Sequence, residues 1–276
     1  MGIENWELII GQMLWLAPRL FSLTNLCFTF QAMPFSHYVP KPPVSDYIEL
    51  LWIYEGYSAR HAKERLLPTG SMELIFGLDE DQRVSSSVIG AQTQFTILDT
   101  SRPFSVIGVH FKPGGGFPFF GVPAGELQGM GVPLDLVWGG FAGEVRDRLL
   151  EAKTHGDKYR ILENALLEQA HGRLGKHPAV RYALDALERP EAPSSVAAVT
   201  DQIGLSARRF IEVFRTEVGL TPKLYCRIRV FRTLSRRSTD FASPISPTWR
   251  SLAVTSIRRI SSMTSARFPG SVLQHI

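Results

Sequence analysis

Ser206, Arg208, Arg209, Ile211, Glu212 and Arg215 lie close together in the chain, and Thr221 and Lys223 follow shortly after. Their side chains match what the edges of base pairs offer. A guanidinium can donate two parallel hydrogen bonds to guanine, a carboxylate can accept from the cytosine amine, and an aliphatic group can touch a thymine methyl. On that chemistry Arg208 is expected to face a guanine edge, Ile211 a thymine methyl and Glu212 a cytosine, with Thr221 and Lys223 holding phosphate. Ser206, Arg209 and Arg215 complete the set expected to contact DNA. Elsewhere, His61, Glu64, Glu73 and His110 are the candidate acid, base or metal-binding groups. They show no His-x-His spacing and no cluster of ligands, so neither a catalytic constellation nor a metal site is expected.

Reading residues of this kind must be carried on one rigid face, and the local sequence describes a helix that would do so. Ser195 reads as a cap, and Val196, Val199 and Ile203 fall on one helical face. Gly204 can take the left-handed conformation that stops a helix. Ser206 can cap a second helix with Phe210, Val213 and Phe214 on its apolar side and Ala207, Arg208, Ile211, Glu212 and Arg215 on the other. Gly219 and Pro222 end it. Two helices about a glycine turn, the second with a basic outer face, form the helix-turn-helix pattern that reads the major groove. An ordinary helical hairpin with solvated arginines has the same outline.

The detailed wording is more specific. Gly204-Leu-Ser206, Arg208-Arg-Phe210, Phe214 and then Val218-Gly-Leu-Thr-Pro-Lys-Leu-Tyr225 resemble the first helix-turn-helix of AraC/XylS-type transcription regulators. The resemblance implies two such units joined by a long helix, each with its second helix in the major groove. The tract from Tyr38 to Trp52, with His110-Phe-Lys-Pro-Gly-Gly115, resembles the N-terminal domain of a bacterial AraC-type subgroup over about residues 36–135. In that family this domain is often a cupin-like barrel that binds an effector or dimerises.

Charge is unevenly distributed along the 276 residues. Up to Thr154 there are 11 Lys and Arg against 16 Asp and Glu, whereas from His155 the numbers are 19 against 10. A basic C-terminal half beside an acidic N-terminal half suits a DNA-binding module with an attached sensor. Cys27 and Cys226 have neither disulfide-framework nor metal-ligand spacing, which fits a reducing, cytoplasmic compartment.

The expected fold is α+β, with a β-barrel or sandwich-like N-terminal domain followed by an all-α helix-turn-helix domain whose second unit is incomplete. Residues 1–32 are an apolar extension without the layout of a secretory signal, and Met33 is the expected natural start. An interfacial helix is the other reading of that extension. Residues 33–135 are the sensor or dimerisation-like domain. Tyr47–Tyr54, Met72–Phe76, Ser87–Gly90, Phe95–Leu98 and Phe104–Phe111 read as short strands between Gly, Pro and Asp clusters. The region from about Tyr38 to Val122 is expected to fold by itself. Trp52, Tyr54, Arg65, Phe76 and Phe111 are candidates to line an effector pocket, although no effector-binding set is defined. The glycines after His110 are expected to make a bend that closes the barrel, with an anion cradle as the alternative.

Residues 136–176 read as helices that link, dimerise or simply pack. Residues 177–237 form the expected DNA-binding domain, with Pro178 at a helix start and Val180, Leu184 and Leu187 on one face. The long helix of the resemblance follows from Lys223, with Leu224, Ile228, Phe231 and Leu234 as its stripe. Residues 238–276 break the pattern: they hold 13 Ser and Thr in 39 residues and one acidic residue, Asp240. A family-like Phe-Asp-Gln-Ala-His-Phe string, encoded TTC GAT CAG GCG CAT TTC and read one base late, yields Ser256-Ile-Arg-Arg-Ile-Ser261. The tail therefore reads as out-of-frame translation of the second unit and is expected to be disordered.

The function expected from all this is a sequence-specific, DNA-binding regulator of transcription that reads the major groove with residues 206–217. Double-stranded DNA is the expected partner. A small-molecule effector, a second copy of the chain and RNA polymerase are further candidates; no membrane and no cofactor are expected. The alternative is a small-molecule- or protein-binding β module with little DNA binding left. An enzyme built on the barrel has the weakest support.

Overall fold

The computed structural model describes residues 35–57, 63–79, 84–188 and 196–239. The apolar extension, Ser195, His61 and all of the aberrant tail beyond Thr239 lie outside the described residues, as do the expectations attached to them.

The N-terminal part is an antiparallel β structure. Its strands are β1 (Phe35–Tyr38), β2 (Ile48–Tyr57), β3 (Lys63–Leu66), β4 (Glu73–Gly77), β5 (Ser87–Ile89), β6 (Thr96–Asp99), β7 (Phe104–Phe111) and β8 (Gly131–Pro133). Six of them form one sheet in the order β1-β2-β7-β4-β5-β8, and β3 pairs with β6 in a second, two-stranded sheet. Strand β7 is central, pairing Trp52 with Gly108 on one side and Ile75 with Gly108 on the other. The sheet is open: β1 and β8 stand at opposite ends of its order. A closed barrel is therefore not what these strands make, and the reason is visible in what covers the two faces.

Side chains alternate across a strand, so each strand serves two cores. Leu51, Ile53, Leu74, Phe76, Val109 and Phe111 are buried together on one face. Leu50, Trp52, Tyr54, Ile75 and Val106 are buried on the other, where Leu98 of β6 joins them. The two-stranded sheet thus covers one face, and helices cover the opposite one. Gly108 leaves room for the Trp52 ring, since a Cβ there would lie 2.3 Å from it.

The covering helices are α1 (Phe117–Phe120), α2 (Asp135–Trp138), α3 (Phe141–Glu151) and α4 (His155–Ala170). Thr154 caps α4, its hydroxyl oxygen accepting from the Asp157 amide at 3.1 Å. Tyr159, Leu162, Ala165, Leu166 and Ala170 recur at helical spacing and are buried in the same core as Leu51 and Phe111. Lys158 of α4 donates from Nζ to the Leu149 carbonyl in the last turn of α3, and burial pushes its pKa down. Among linking, dimerising and packing, these contacts serve packing. Helices α3 and α4, which lie beyond the stretch from Tyr38 to Val122, supply part of its core.

A second core gathers α5 (Pro178–Glu188), α6 (Val196–Ile203), α7 (Ala207–Val218) and α8 (Pro222–Thr239). Val180, Leu184, Leu187, Val199, Phe210, Phe214, Leu220, Tyr225 and Ile228 are buried there. Phe214 stands edge-on to both Phe210 and Tyr225, with ring centroids 5.7 and 5.8 Å away. Ala91, from the loop after β5, belongs to this helical core as well. Among the described residues, no helix is long and apolar enough to cross a membrane.

Candidate nucleic-acid interface

Helix α7 takes the form its sequence dictates. Gly204, at φ +70°, makes the turn after α6. The Ser206 hydroxyl oxygen then accepts from the Arg209 amide at 3.3 Å, satisfying one of the amides left over at the helix start. At the other end Gly219 is left-handed, and its amide donates to the Arg215 carbonyl at 3.0 Å. Phe210, Val213, Phe214 and Val218 turn into the core, and Arg208, Arg209, Ile211, Glu212 and Arg215 are exposed. Ile211 is 41% exposed, unusual company for an isoleucine on a helix whose other large apolar residues are covered.

The expected contact residues fall into three groups. Arg208 and Ile211 occupy the outer face of the first two turns. Arg209 and Glu212 are paired with each other, Nη1 to Oε2, at 2.9 Å, so the Glu212 carboxylate already accepts from a donor of its own helix. At this exposed site, the pair is worth only a few tenths of a kcal/mol, about 0.3–0.5, and opens readily. Arg215 points back to the β structure, with Nη2 3.5 Å from the Gly125 carbonyl oxygen. Thr221 has a local task too: it stands at the start of α8, where its hydroxyl oxygen accepts from the Leu224 amide at 3.4 Å. Lys223, two residues further on in the first turn of α8, is exposed.

Glu217 was not among the expected site residues, yet it holds the helical group together. It is buried on α7, and its carboxylate accepts from the His177 amide at 2.9 Å, at the start of α5. His177 in turn accepts at Nδ1 from the Ala179 amide at 3.1 Å. A carboxylate at a helix N-terminus meets the positive end of the helix dipole. Burial nevertheless pushes the Glu217 pKa up, with the His177 amide and the nearby His177 and Lys176 charges opposing that shift. A sequence signal for this contact is hard to find, because Glu217 and His177 are forty residues apart.

The candidate acid and base groups separate. His61 and the side chain of Glu64 lie outside the described residues. Glu73 and His110 do meet: they are paired across β4 and β7, and Nδ1 of His110 lies 3.0 Å from Glu73 Oε1. Nε2 of His110 lies 3.5 Å from Glu49 Oε2 on β2. The Glu73 contact joins β4 to β7, whereas the buried Nε2 of His110 makes no hydrogen bond. Among the described residues, no group of three His, Cys, Asp or Glu is placed to hold a metal ion.

The pocket candidates do not converge. Trp52 and Tyr54 lie on one face of the large sheet, and Phe76 and Phe111 on the other. Arg65 is exposed and stacks on Phe95, 4.6 Å from the ring centroid. Nor do the glycines after His110 form an open anion cradle: Gly114, Gly115 and Gly116 are buried. The Gly115 amide donates to the Lys112 carbonyl at 2.7 Å, and Gly114, at φ +68°, faces Val218, Leu184 and Val180. The bend is a packing surface for helices. No curated protein and no solved structure matches the chain. Residues 36–133, about a third of the chain, match the model of a domain of unknown function, DUF6597.

Proposed function

We propose that the chain is a sequence-specific DNA-binding regulator of transcription of the AraC/XylS type, with α7 as the helix that enters the major groove. The observation that carries this reading is the outer face of α7, where Arg208, Ile211 and Glu212 stand exposed on a helix capped at both ends. A preceding short helix and a left-handed glycine turn set that face outward. The match over residues 36–133 adds support, because that domain is known in AraC-type regulators. The β structure then serves as the sensing or dimerising part. With one reading unit, the chain neutralises few phosphates, so its binding is weak and shallow in its salt dependence.

The test is fluorescence anisotropy on a DNA site selected from a random pool, at fixed salt. Arg208→Ala should weaken binding to that site by about 1–3 kcal/mol, the scale of one bidentate base contact. Unchanged affinity after Arg208→Ala and Ile211→Ala would count against α7 as the groove helix. Lys223→Ala should instead weaken binding to all sequences alike and lower the salt slope by about one.

A further inference from the structure

Arg209 stands apart from the residues that point straight out of α7. At helical spacing, Glu212 lies about 40° around the axis from Arg208, Ile211 about 60° to the other side and Arg209 about 100° away. Phe210, Val213 and Phe214 fill the buried side. Glu212 therefore shares the middle of the outward face with Arg208, and Arg209 is on its flank. The Arg209 guanidinium nevertheless reaches across. Its Nη1 donates to Glu212 Oε2 at 2.9 Å, and both side chains are exposed.

A carboxylate is an awkward group to carry into a groove flanked by phosphates. Unpaired, it is repelled by them and loses its water without compensation. In the free chain, exposed to solvent, its pairing with Arg209 adds little. Between the walls of a groove the same pair sits in a lower dielectric, and its attraction grows. The bond is also one-sided. Arg209 holds Oε2, which leaves Oε1 to accept from a cytosine amine. A guanidinium has several N–H donors, so Arg209 keeps others for the phosphate wall on its own flank.

Resting on the reading of α7 as the groove helix, we propose that Arg209 is a positioning residue that orients Glu212 towards a cytosine and reads no base itself. It tethers to the DNA backbone, offsets the Glu212 charge and fixes which carboxylate oxygen meets the base. Selectivity at that base pair then belongs to the two side chains together.

The test uses the full chain on a duplex site selected from a random pool, with each cytosine replaced in turn by uracil. Uracil puts a carbonyl acceptor where cytosine has its amine donor. At the position that Glu212 reads, the parent chain should prefer cytosine. Glu212→Ala and Arg209→Ala should each reduce that preference about fivefold or more, within the range of coupling between residues in contact. The double variant should reduce it no further than Glu212→Ala alone. Because both side chains are exposed, all three variants should keep the parent chain's thermal transition. If Arg209→Ala weakens binding to cytosine and uracil duplexes alike, Arg209 is a phosphate contact only, and the positioning role is overturned. Unchanged binding after Arg209→Ala overturns it too, as do losses that add in the double variant. So does a site at which Glu212→Ala alters no preference for cytosine. In each of these cases, weaker binding after Arg208→Ala leaves the groove helix standing. If Arg208→Ala and Ile211→Ala also leave binding unchanged, or no salt-dependent DNA binding is seen, the reading of α7 falls, and the role of Arg209 with it.

Discussion

Glu217 occupies a position where ionisation and burial oppose each other. Its carboxylate accepts from the His177 amide at the start of α5, yet burial raises its pKa above the usual 4.5. A carboxyl whose folded pKa is raised binds its proton more tightly in the native state than in the unfolded chain. Stability is then greatest below the ordinary glutamate range and declines as pH rises through the folded pKa. Glutamine keeps an oxygen for the His177 amide and has no proton to lose. Glu217→Gln should therefore match the parent chain near pH 4 and melt at an equal or higher temperature at pH 7. Thermal unfolding followed by circular dichroism across that range would show this, and a variant that melts progressively lower as pH rises would contradict it. His110 illustrates a different solution for a buried polar side chain. Its Nδ1 meets Glu73 at 3.0 Å across β4 and β7, while Nε2 lies 3.5 Å from Glu49 and makes no hydrogen bond.

At the scale of elements, ends matter as much as faces. Helix α7 stops at Gly219 because φ is +85° there, a conformation that costs an L-residue about 1–2 kcal/mol. The following turn also packs against Ala124 and Ala91. Gly219→Ala should lower the unfolding free energy by at least about 1 kcal/mol, read as a drop in the urea midpoint with an unchanged slope. A neutral result would mean that neither the left-handed cap nor the close approach matters. The same logic applies to α4, whose start depends on Thr154; Thr154→Ala should cost about 1 kcal/mol in the same assay, typical of a lost cap. These ends were legible in the chain: Ser206, Gly204 and Gly219 are the residue types the caps and turns require. The strand runs were legible as well: Phe104–Phe111 is β7, and Tyr47–Tyr54 and Met72–Phe76 overlap most of β2 and β4. Strands β1 (Phe-Ser-His-Tyr), β3 (Lys-Glu-Arg-Leu) and β8 (Gly-Val-Pro) lack the β-branched runs that marked the equally short β5 and β6.

At the scale of the whole molecule, the helical group and the β structure share surfaces built on glycine. Gly70 faces Ile228 and Leu220, Gly114 faces Val218 and Leu184, and Gly125 faces Arg215. Lys176 donates to the Asp46 carbonyl at 3.3 Å, and Arg232 to the Thr69 carbonyl at 2.9 Å. A piece spanning residues 177–276 would expose Val218, Leu220 and Ile228, which the β structure covers. It should show a broad, low-temperature melt, whereas residues 33–175 should unfold cooperatively because α3 and α4 complete their core. A sharp, two-state transition for the helical piece alone would show that the shared surface adds little.

Taken alone, the sequence determined the longer helices and five of the strands, the caps of α7, the α+β composition and the face of α7 that carries arginine. Periodicity records that one side of a segment is buried, and capping residues record where it ends. Neither records what does the burying. Tertiary structure decided that the sheet stays open under α3 and α4, that Trp52 and Phe76 lie on opposite sides of it, and that Glu217 caps a helix forty residues away. It also decided that Arg215, the same residue type on the same stripe as Arg208, rests against Gly125. Contacts between distant segments depend on how whole faces dock, and a glycine that admits a neighbour at 3 Å reads in the chain like any other loop glycine.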